Sequence, residues 1–447
     1  MSHLPGLVFL YHEVFGSLGS MDATSIRKCR VCGNSDLVKI LDLGSQAATG
    51  VFPKSPDEQV FRGPLQLIKC VETPGGKTCG LTQLGHTYDS SLLYGNHYGY
   101  RSGLNAAMVA HLRRKAVQIK QRIALTPGDV ILDIGSNDGT FLAALMEPGV
   151  TAVGVDPTAD KFRKYYRPEI HVIPELFSAA SFRRHLGDKK VKVVTSIAMF
   201  YDLEEPLAFM QNVASLLADD GIWVFEQSYL LTMVENTSYD TVCHEHLEYY
   251  ALKQIVWMAA RAGLTIVEVE LNNINGGSFS VTAAPKRSAH AAGAVEVEKL
   301  LANEQRSGFG SLDLYQDFRD RVFRHRDQLF QTLQTALQRG EKILGYGAST
   351  KGNVILQFCG LTPKELPAIA EVNPDKFGCY TPGTLIPIIS EQEAHAHRPN
   401  AFLVLPWHFR ENLIEREAAY LASGGGMIFP LPKIEVVGRG KSAGHRM

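Results

Sequence analysis

One stretch constrains this chain more than any other: Asp133-Ile134-Gly135-Ser136-Asn137-Asp138-Gly139, set directly behind the apolar run Val130-Ile131-Leu132. An apolar strand that breaks at glycine and resumes as the helical pattern GTFLAALME is the first half of a βαβ unit. Gly135 lets the backbone turn sharply and approach a ligand. The following helix presents unpaired N–H groups above the strand ends. TAVGVDP supplies the next strand, and Asp156 at its end lies 17 positions beyond Gly139. Its carboxylate can accept from both hydroxyls of a ribose. A dinucleotide site prefers G-x-G-x-x-G, whereas this turn reads D-x-G-x-N-x-G. The pattern therefore points to a pocket for S-adenosylmethionine (SAM), built from Asp133, Gly135, Ser136, Asn137, Gly139 and Asp156. Met199 and Phe200, just past a further strand, either line the adenine or pack the core.

Around this unit, strand and helix patterns alternate: VKVVTSIAMF, EEPLAFMQNVASLLA, GIWVFEQS. Such alternation implies a parallel sheet covered on both faces. A helix is expected over 103–124, with Leu104, Met108, His111 and Leu112 on one face. GLTIVEVELNNINGGSFSVTAA reads as an antiparallel pair closing the sheet edge. After a polar helical stretch, a second α/β pattern begins at KILGYGAST and continues through LPAIAEVNP, LIPIISEQE, AFLVLP and GMIFPLP. With 447 residues, the chain exceeds what one core usually supports. The expected division is an extension over 1–24, a cysteine-bearing domain over 25–95, a central Rossmann-like α/β domain over 96–285, a helical connector over 286–340, and a second Rossmann-like α/β domain over 341–447. Met21 makes an upstream start codon a ready explanation for residues 1–20.

Hydrophobic content of 45% and charged content of 20% are ordinary globular values, and the net charge is -1. That balance lacks the excess of Lys and Arg that nucleic-acid binding requires. No apolar run reaches a membrane span, and the N-terminus lacks the basic region and cleavage site of a secretory signal. A cytoplasmic protein is expected.

Four of the seven cysteines fall early. Cys29-Arg30-Val31-Cys32-Gly33 is a C-x2-C knuckle, and Cys70 and Cys79 form a second pair spaced by eight residues. Without an export signal, such clustering reads as metal ligation before disulfides. Four thiolates close a tetrahedral zinc site with no open position, hence a structural one. The competing reading is four unrelated buried cysteines.

Residues 239–250, Tyr-Asp-Thr-Val-Cys-His-Glu-His-Leu-Glu-Tyr-Tyr, follow the strand GIWVFEQS and so lie beyond a carboxyl end of the sheet, where ligands bind. His244-Glu245-His246 offers two imidazoles and a carboxylate. The spacing fails the H-E-x-x-H zinc protease pattern. A general base, a second metal site and a hydrogen-bonded loop remain, and a base beside a SAM pocket fits best. Tyr94, Asn96, His97, Tyr98, Tyr100 and Arg101 form a further polar aromatic cluster between the cysteine region and the SAM unit, where pockets are common.

Taken in order, C-x2-C-G, D-x-G-x-N-D-G, the polar E-H loop, G-G-S and G-Y-G-A-S-T-K-G-N resemble the nucleotide-sugar C-methyltransferases of deoxysugar pathways, over about 27–437. The resemblance implies a class I SAM methyltransferase domain flanked by a small N-terminal zinc-binding domain and a C-terminal Rossmann-like domain. It implies that Cys29, Cys32, Cys70 and Cys79 bind structural zinc. His246 becomes the base, with Glu245 and His244 beside it, and Tyr98 and Tyr100 match the tyrosine pair near the sugar. Gly345, Tyr346, Gly347, Ala348, Lys351 and Asn353 match the turn near the nucleotide diphosphate. Cys243 and Tyr201 depart from the family, standing where C3-methylating members carry tyrosine and about where they carry histidine. The second cysteine pair also has a longer spacer.

The implied chemistry follows from the residues. A sugar carbon accepts a methyl group only when a neighbouring ketone acidifies its C–H and a base removes the proton. The enzyme then aligns the enolate with the sulfonium and stabilises the oxygen charge. A diphosphate bound remotely would position the sugar. Rival readings are an O- or N-methyltransferase of another small metabolite, a non-catalytic SAM- or nucleotide-binding protein, and a bifunctional enzyme with a C-terminal NAD site. The last is disfavoured by the missing third glycine.

Overall fold

The computed structural model describes residues 23–73, 75–89, 93, 101–291 and 295–438. The N-terminal part holds β1 (Thr24–Ser25), β2 (Leu37–Ala47), β3 (Arg62–Cys70), β4 (Thr82–Leu84) and β5 (His86–Thr87). The central part holds β6 (Val130–Ile134), β7 (Thr151–Val155), β8 (His171–Ile173), β9 (Val191–Ile197), β10 (Leu217–Ser228), β11 (Glu248–Tyr249), β12 (Leu264–Asn272) and β13 (Ser278–Pro285). The last part holds β14 (Ile343–Tyr346), β15 (Ile369–Glu371), β16 (Ile388–Ser390), β17 (Ala401–Val404), β18 (Gly426–Phe429) and β19 (Glu435–Gly438).

The central sheet runs in the order β12-β13-β10-β9-β6-β7-β8. Strands β6 to β10 are parallel, and β13 runs against both its neighbours. Every residue of β6 is buried, as a strand covered on both faces demands. The C-terminal sheet runs β16-β15-β14-β17-β18-β19, parallel except for β19. Strand order reverses between β6 and β9 in one sheet and between β14 and β17 in the other. Such reversals open crevices at the carboxyl ends of the strands.

Two elements depart from expectation. The helix near 103 starts late, spanning Ala106–Arg122, because the Asn105 side chain accepts from the N–H groups of Ala107 and Met108 and so caps it there. Leu104 is left exposed in the preceding 3-10 turn. The cysteine region, which shows no strand period in sequence, forms the sheet β11-β4-β3-β2. Its fourth strand, β11, comes from the loop directly after His246 and pairs with β4.

Strands β1 and β5 form a separate two-stranded sheet, and the long helix Asp313–Gln338 ties together the parts that hold the three larger sheets. Tyr315 accepts from Thr82 Oγ1 at 3.4 Å. Arg321 donates to the carbonyls of Val234 and Glu235. His325 Nε2 donates to the Pro430 carbonyl at 2.6 Å. Gln357 grips residue 47 with both ends of its amide, accepting from the Ala47 N–H at 2.7 Å and donating to its carbonyl at 3.1 Å. The three larger sheets are therefore tied along one seam.

Candidate active site

The SAM-type turn forms as the sequence requires. Gly135 has φ +75°, and a Cβ there would meet Met199 Cγ at 3.0 Å. Asn137 and Gly139 also sit at positive φ. Thr195 Oγ1 donates to Asp133 at 2.6 Å. Burial pushes the Asp133 carboxyl up to about 7, against that bond. Asp156 accepts from the Asn137 N–H at 2.8 Å and from both the N–H and the hydroxyl of Thr158. Ser136 and Tyr166 share a hydroxyl contact at 2.8 Å. Residues 101–105 fold over the turn, with the Ser102 and Gly103 N–H groups donating to Asn137 and Asp138.

These residues open onto a cavity of about 400 Å³ lined by Asp133, Gly135, Asp156, Met199, Glu226 and Asn275, among others. Asp133, Gly135, Ser136, Asn137, Asp156 and Met199 all face it; Gly139 caps the helix behind, its Cα against the Tyr166 ring.

The residues of the polar loop divide between two surroundings. His244 points into the N-terminal sheet, its ring edge-on to Phe61 and Tyr88, and burial lowers its pKa to about 4. Glu245 lies against Gly50, so close that a Cβ there would sit 2.6 Å from Oε1. Its Oε2 is buried without a partner among the described residues, and burial raises its pKa. His246 points the other way. Its Nδ1 lies 2.8 Å from the Thr241 carbonyl, which can only accept. Nδ1 therefore carries the proton and Nε2 the lone pair. The ring packs on Tyr201, centroids 4.3 Å apart. Burial, reinforced by the Lys351 ammonium, lowers its pKa to about 3. Cys243 is fully buried and its thiol is pushed well up by that burial, so no imidazole activates it. Tyr98 and Tyr100, with the cluster from Tyr94, lie outside the described residues.

The residues of the C-terminal turn do not converge on one anion site. The Tyr346 hydroxyl donates to Glu417 at 2.7 Å. Asn353 is buried and donates to the Thr49 carbonyl at 2.7 Å. The turn amide of Ala348, with the N–H groups of Val372 and Asn373, donates to the chain's own Glu371 carboxylate. Gly347, at φ +82°, has its Cα against Pro406, and Gly345 sits within β14. Lys351 turns away from the turn and donates to the Asn275 carbonyl at 2.8 Å, at the wall of the SAM cavity.

Several site residues escaped the sequence reading. Glu226 accepts from Asn272 Nδ2 at 2.9 Å and pairs with His111 and Lys115. Burial raises its carboxyl, but His111 and Lys115 outweigh this and hold it below the usual range. Gln227 is buried with neither amide atom partnered among the described residues. His408 follows β17. Polar residues ending an apolar strand, as in FEQS and LPWH, were the available signal.

The four cysteines do converge. Their sulfurs lie within 4.8 Å of one another, with Cys29–Cys79 at 3.5 Å and Cys32–Cys70 at 3.6 Å. Bonds of about 2.3 Å to a tetrahedral zinc place sulfurs roughly 3.8 Å apart, so the set fits the ion. Gly33, at φ +71°, closes the knuckle with its N–H on the Cys29 carbonyl. Glu72 and Thr73 lie in the loop that accommodates the long spacer, with the Thr73 N–H on Thr78.

Comparison with known proteins gives the same three parts. Residues 29–94 match a zinc binding domain, 108–269 a methyltransferase domain and 273–432 a C-methyltransferase C-terminal domain. The C-methyltransferase NovU of Streptomyces niveus is 30% identical over 422 residues, 92% of this chain and 97% of that protein. The chain belongs to the SAM-dependent C-methyltransferase family. Among solved structures, the methyltransferase bound to the Trm112 activator of Haloferax volcanii aligns over 41% of this chain and 94% of its own (15% identity, TM-score 0.34). The CcbJ methyltransferase of Streptomyces caelestis aligns over 39% and 89% (17% identity, TM-score 0.31). This C-methyltransferase uses SAM and has a zinc-binding domain, in which the cluster of Cys29, Cys32, Cys70 and Cys79 would hold the ion. No described helix is long and apolar enough to cross a membrane.

Proposed function

We propose that this C-methyltransferase methylates a carbon beside the ketone of a nucleotide-activated keto sugar, with His246 as the base. The observation that carries the reading is the fixed tautomer of His246: Nδ1 is committed to Thr241, so Nε2 carries the lone pair a base needs. Gln227 lines the SAM cavity, and the next residue, Ser228, lines a smaller one with His246. Glu245 and the tyrosines Tyr98 and Tyr100 are assigned to the sugar. SAM supplies the electrophilic methyl of its sulfonium. Carbon alkylation needs a neutral base and a cation to balance oxyanion charge, and His246 and Lys351 support the reading as candidates for these parts. The nucleotide is assigned to the C-terminal part, the fold being divided near 95, 285 and 340. The location is assigned to the cytoplasm.

The test is a mass-spectrometric assay with SAM and a panel of 4-keto nucleotide sugars in D2O, on wild type and His246→Ala. Gain of one methyl on carbon, with deuterium entering the C–H beside the ketone in unreacted substrate and both lost in the variant, is the expected result. Methylation on oxygen or nitrogen without exchange would overturn it.

A further inference from the structure

The segments that follow β14 and β17 pack against the central part of the chain. They send Lys351 and the segment Trp407–Phe409 against the loop Ile274–Gly276. Gly276, at φ +88°, has its Cα packed on the Trp407 ring, where a Cβ would come to 2.9 Å. Trp407 Nε1 donates to Asp240 at 2.8 Å, six residues before His246. Asn275 lines the SAM cavity. Lys351 and His408 therefore stand at the seam between the C-terminal part and the wall of the SAM cavity.

Their hydrogen bonding is incomplete in an instructive way. An ammonium has three donors, and Lys351 spends one, on Asn275. His408 Nδ1 is buried with no partner among the described residues. Gln227, in the lining of the SAM cavity, leaves its whole amide unpartnered among the described residues. Buried polar groups of this kind are costly unless a ligand completes them. Lys351 donates to Asn275 of the cavity wall, and Trp407, the residue before His408, is tied through Asp240 to the loop that carries His246, so the three belong to one seam. The turn that a diphosphate would use already holds the Glu371 carboxylate.

We propose that Lys351, assisted by His408, binds the ketone oxygen of the substrate and stabilises the enolate. The assignment rests on the carbon-methylation reading above. His246 Nε2 takes the proton, the C–H pair becomes the C=C bond, and the carbonyl π pair moves onto oxygen, beside the ammonium. The enolate carbon then forms its bond to the methyl as the S–CH3 pair returns to sulfur, and the C=O bond reforms. Charge is neutral overall at the sugar, and Lys351 needs no proton change.

The experiment is deuterium exchange into the keto sugar without SAM, run beside steady-state methylation, on wild type, Lys351→Met, Lys351→Gln and Lys351→Arg. Loss of one oxyanion donor typically costs about 100- to 1,000-fold in rate. Lys351→Met is expected to lose that much in both exchange and kcat, with KM and SAM affinity within about threefold. Arg is expected to restore more rate than Gln, because charge and not packing is the requirement; this comparison stands even if the Met variant does not fold. A raised KM with kcat and exchange intact would overturn the proposal and return Lys351 to the diphosphate. Gln equal to Arg would overturn it in favour of a structural role. If wild type shows neither exchange nor methylation of any keto sugar, the carbon-methylation reading itself falls and the proposal with it.

Discussion

His246 is kept neutral by two effects that add: burial and the Lys351 charge. Its protonation is thereby displaced from the usual histidine range to about 3. A depressed pKa leaves the lone pair available at every pH above that value, so kcat/KM should show no acid limb between pH 5 and 7. The groups facing it are Lys351, which lowers the pKa, and the Thr241 carbonyl, which raises it; Tyr201 is neutral packing. A pH–rate profile with an inflection near 6.5 that tracks His246 would contradict this. His246→Ala should lower kcat by roughly 100- to 10,000-fold, the usual range for a lost general base, while calorimetry shows unchanged SAM binding. Gly135 makes a separate prediction. Its φ of +75° and its contact with Met199 mean that Gly135→Ala carries about 1–2 kcal/mol of backbone strain. SAM affinity should fall about tenfold or more, read by the same calorimetry.

Among elements, β11 carries the most consequence for its length. Two residues after His246, Glu248 enters the N-terminal sheet opposite Gln83. There it meets Arg30 of the zinc knuckle at 3.8 Å. Burial pushes the Glu248 carboxyl well up despite Arg30, so the contact is a desolvated one held by its surroundings. Arg30 itself donates to the carbonyls of Leu84 and His86. The cysteine knuckle, the sheet and the loop that carries His246 are thus one mechanical unit. Zinc removal with a thiol-competitive chelator should abolish methyl transfer while SAM still binds. Hydrogen exchange should show β3, β4 and β11 losing protection together and the central sheet keeping its own. The central sheet was legible because strand, glycine and acid recur at fixed spacing from Val130 to Asp156. The zinc ligands were legible because C-x2-C needs only local spacing. Strand β11 was not, since its pairing with β4 is set by tertiary position and its two residues carry no period.

At the scale of the molecule, specific side-chain bonds tie the three larger sheets together. Sequence patterns give each Rossmann-like sheet separately. They do not reveal how the second is tied to the first, because that depends on side chains far apart in the chain. Gln357 shows this: it looks like an ordinary helix residue, yet its amide imitates a strand partner for Ala47. Asn353, one turn earlier, holds the Thr49 carbonyl, beside the Gly50 that Glu245 abuts. Gln357→Ala leaves an N–H and a carbonyl at the seam without partners, at about 1–3 kcal/mol for each such group. Neither group touches the SAM cavity, so SAM affinity should hold. The helix Thr350–Phe358 also carries Lys351, so loosening its tie to the N-terminal sheet should displace the ammonium from the reacting oxygen. The expected result is a lower midpoint in urea, with kcat reduced more than KM is raised. A variant that loses stability while keeping full kcat would show that the seam holds the parts together without aligning them.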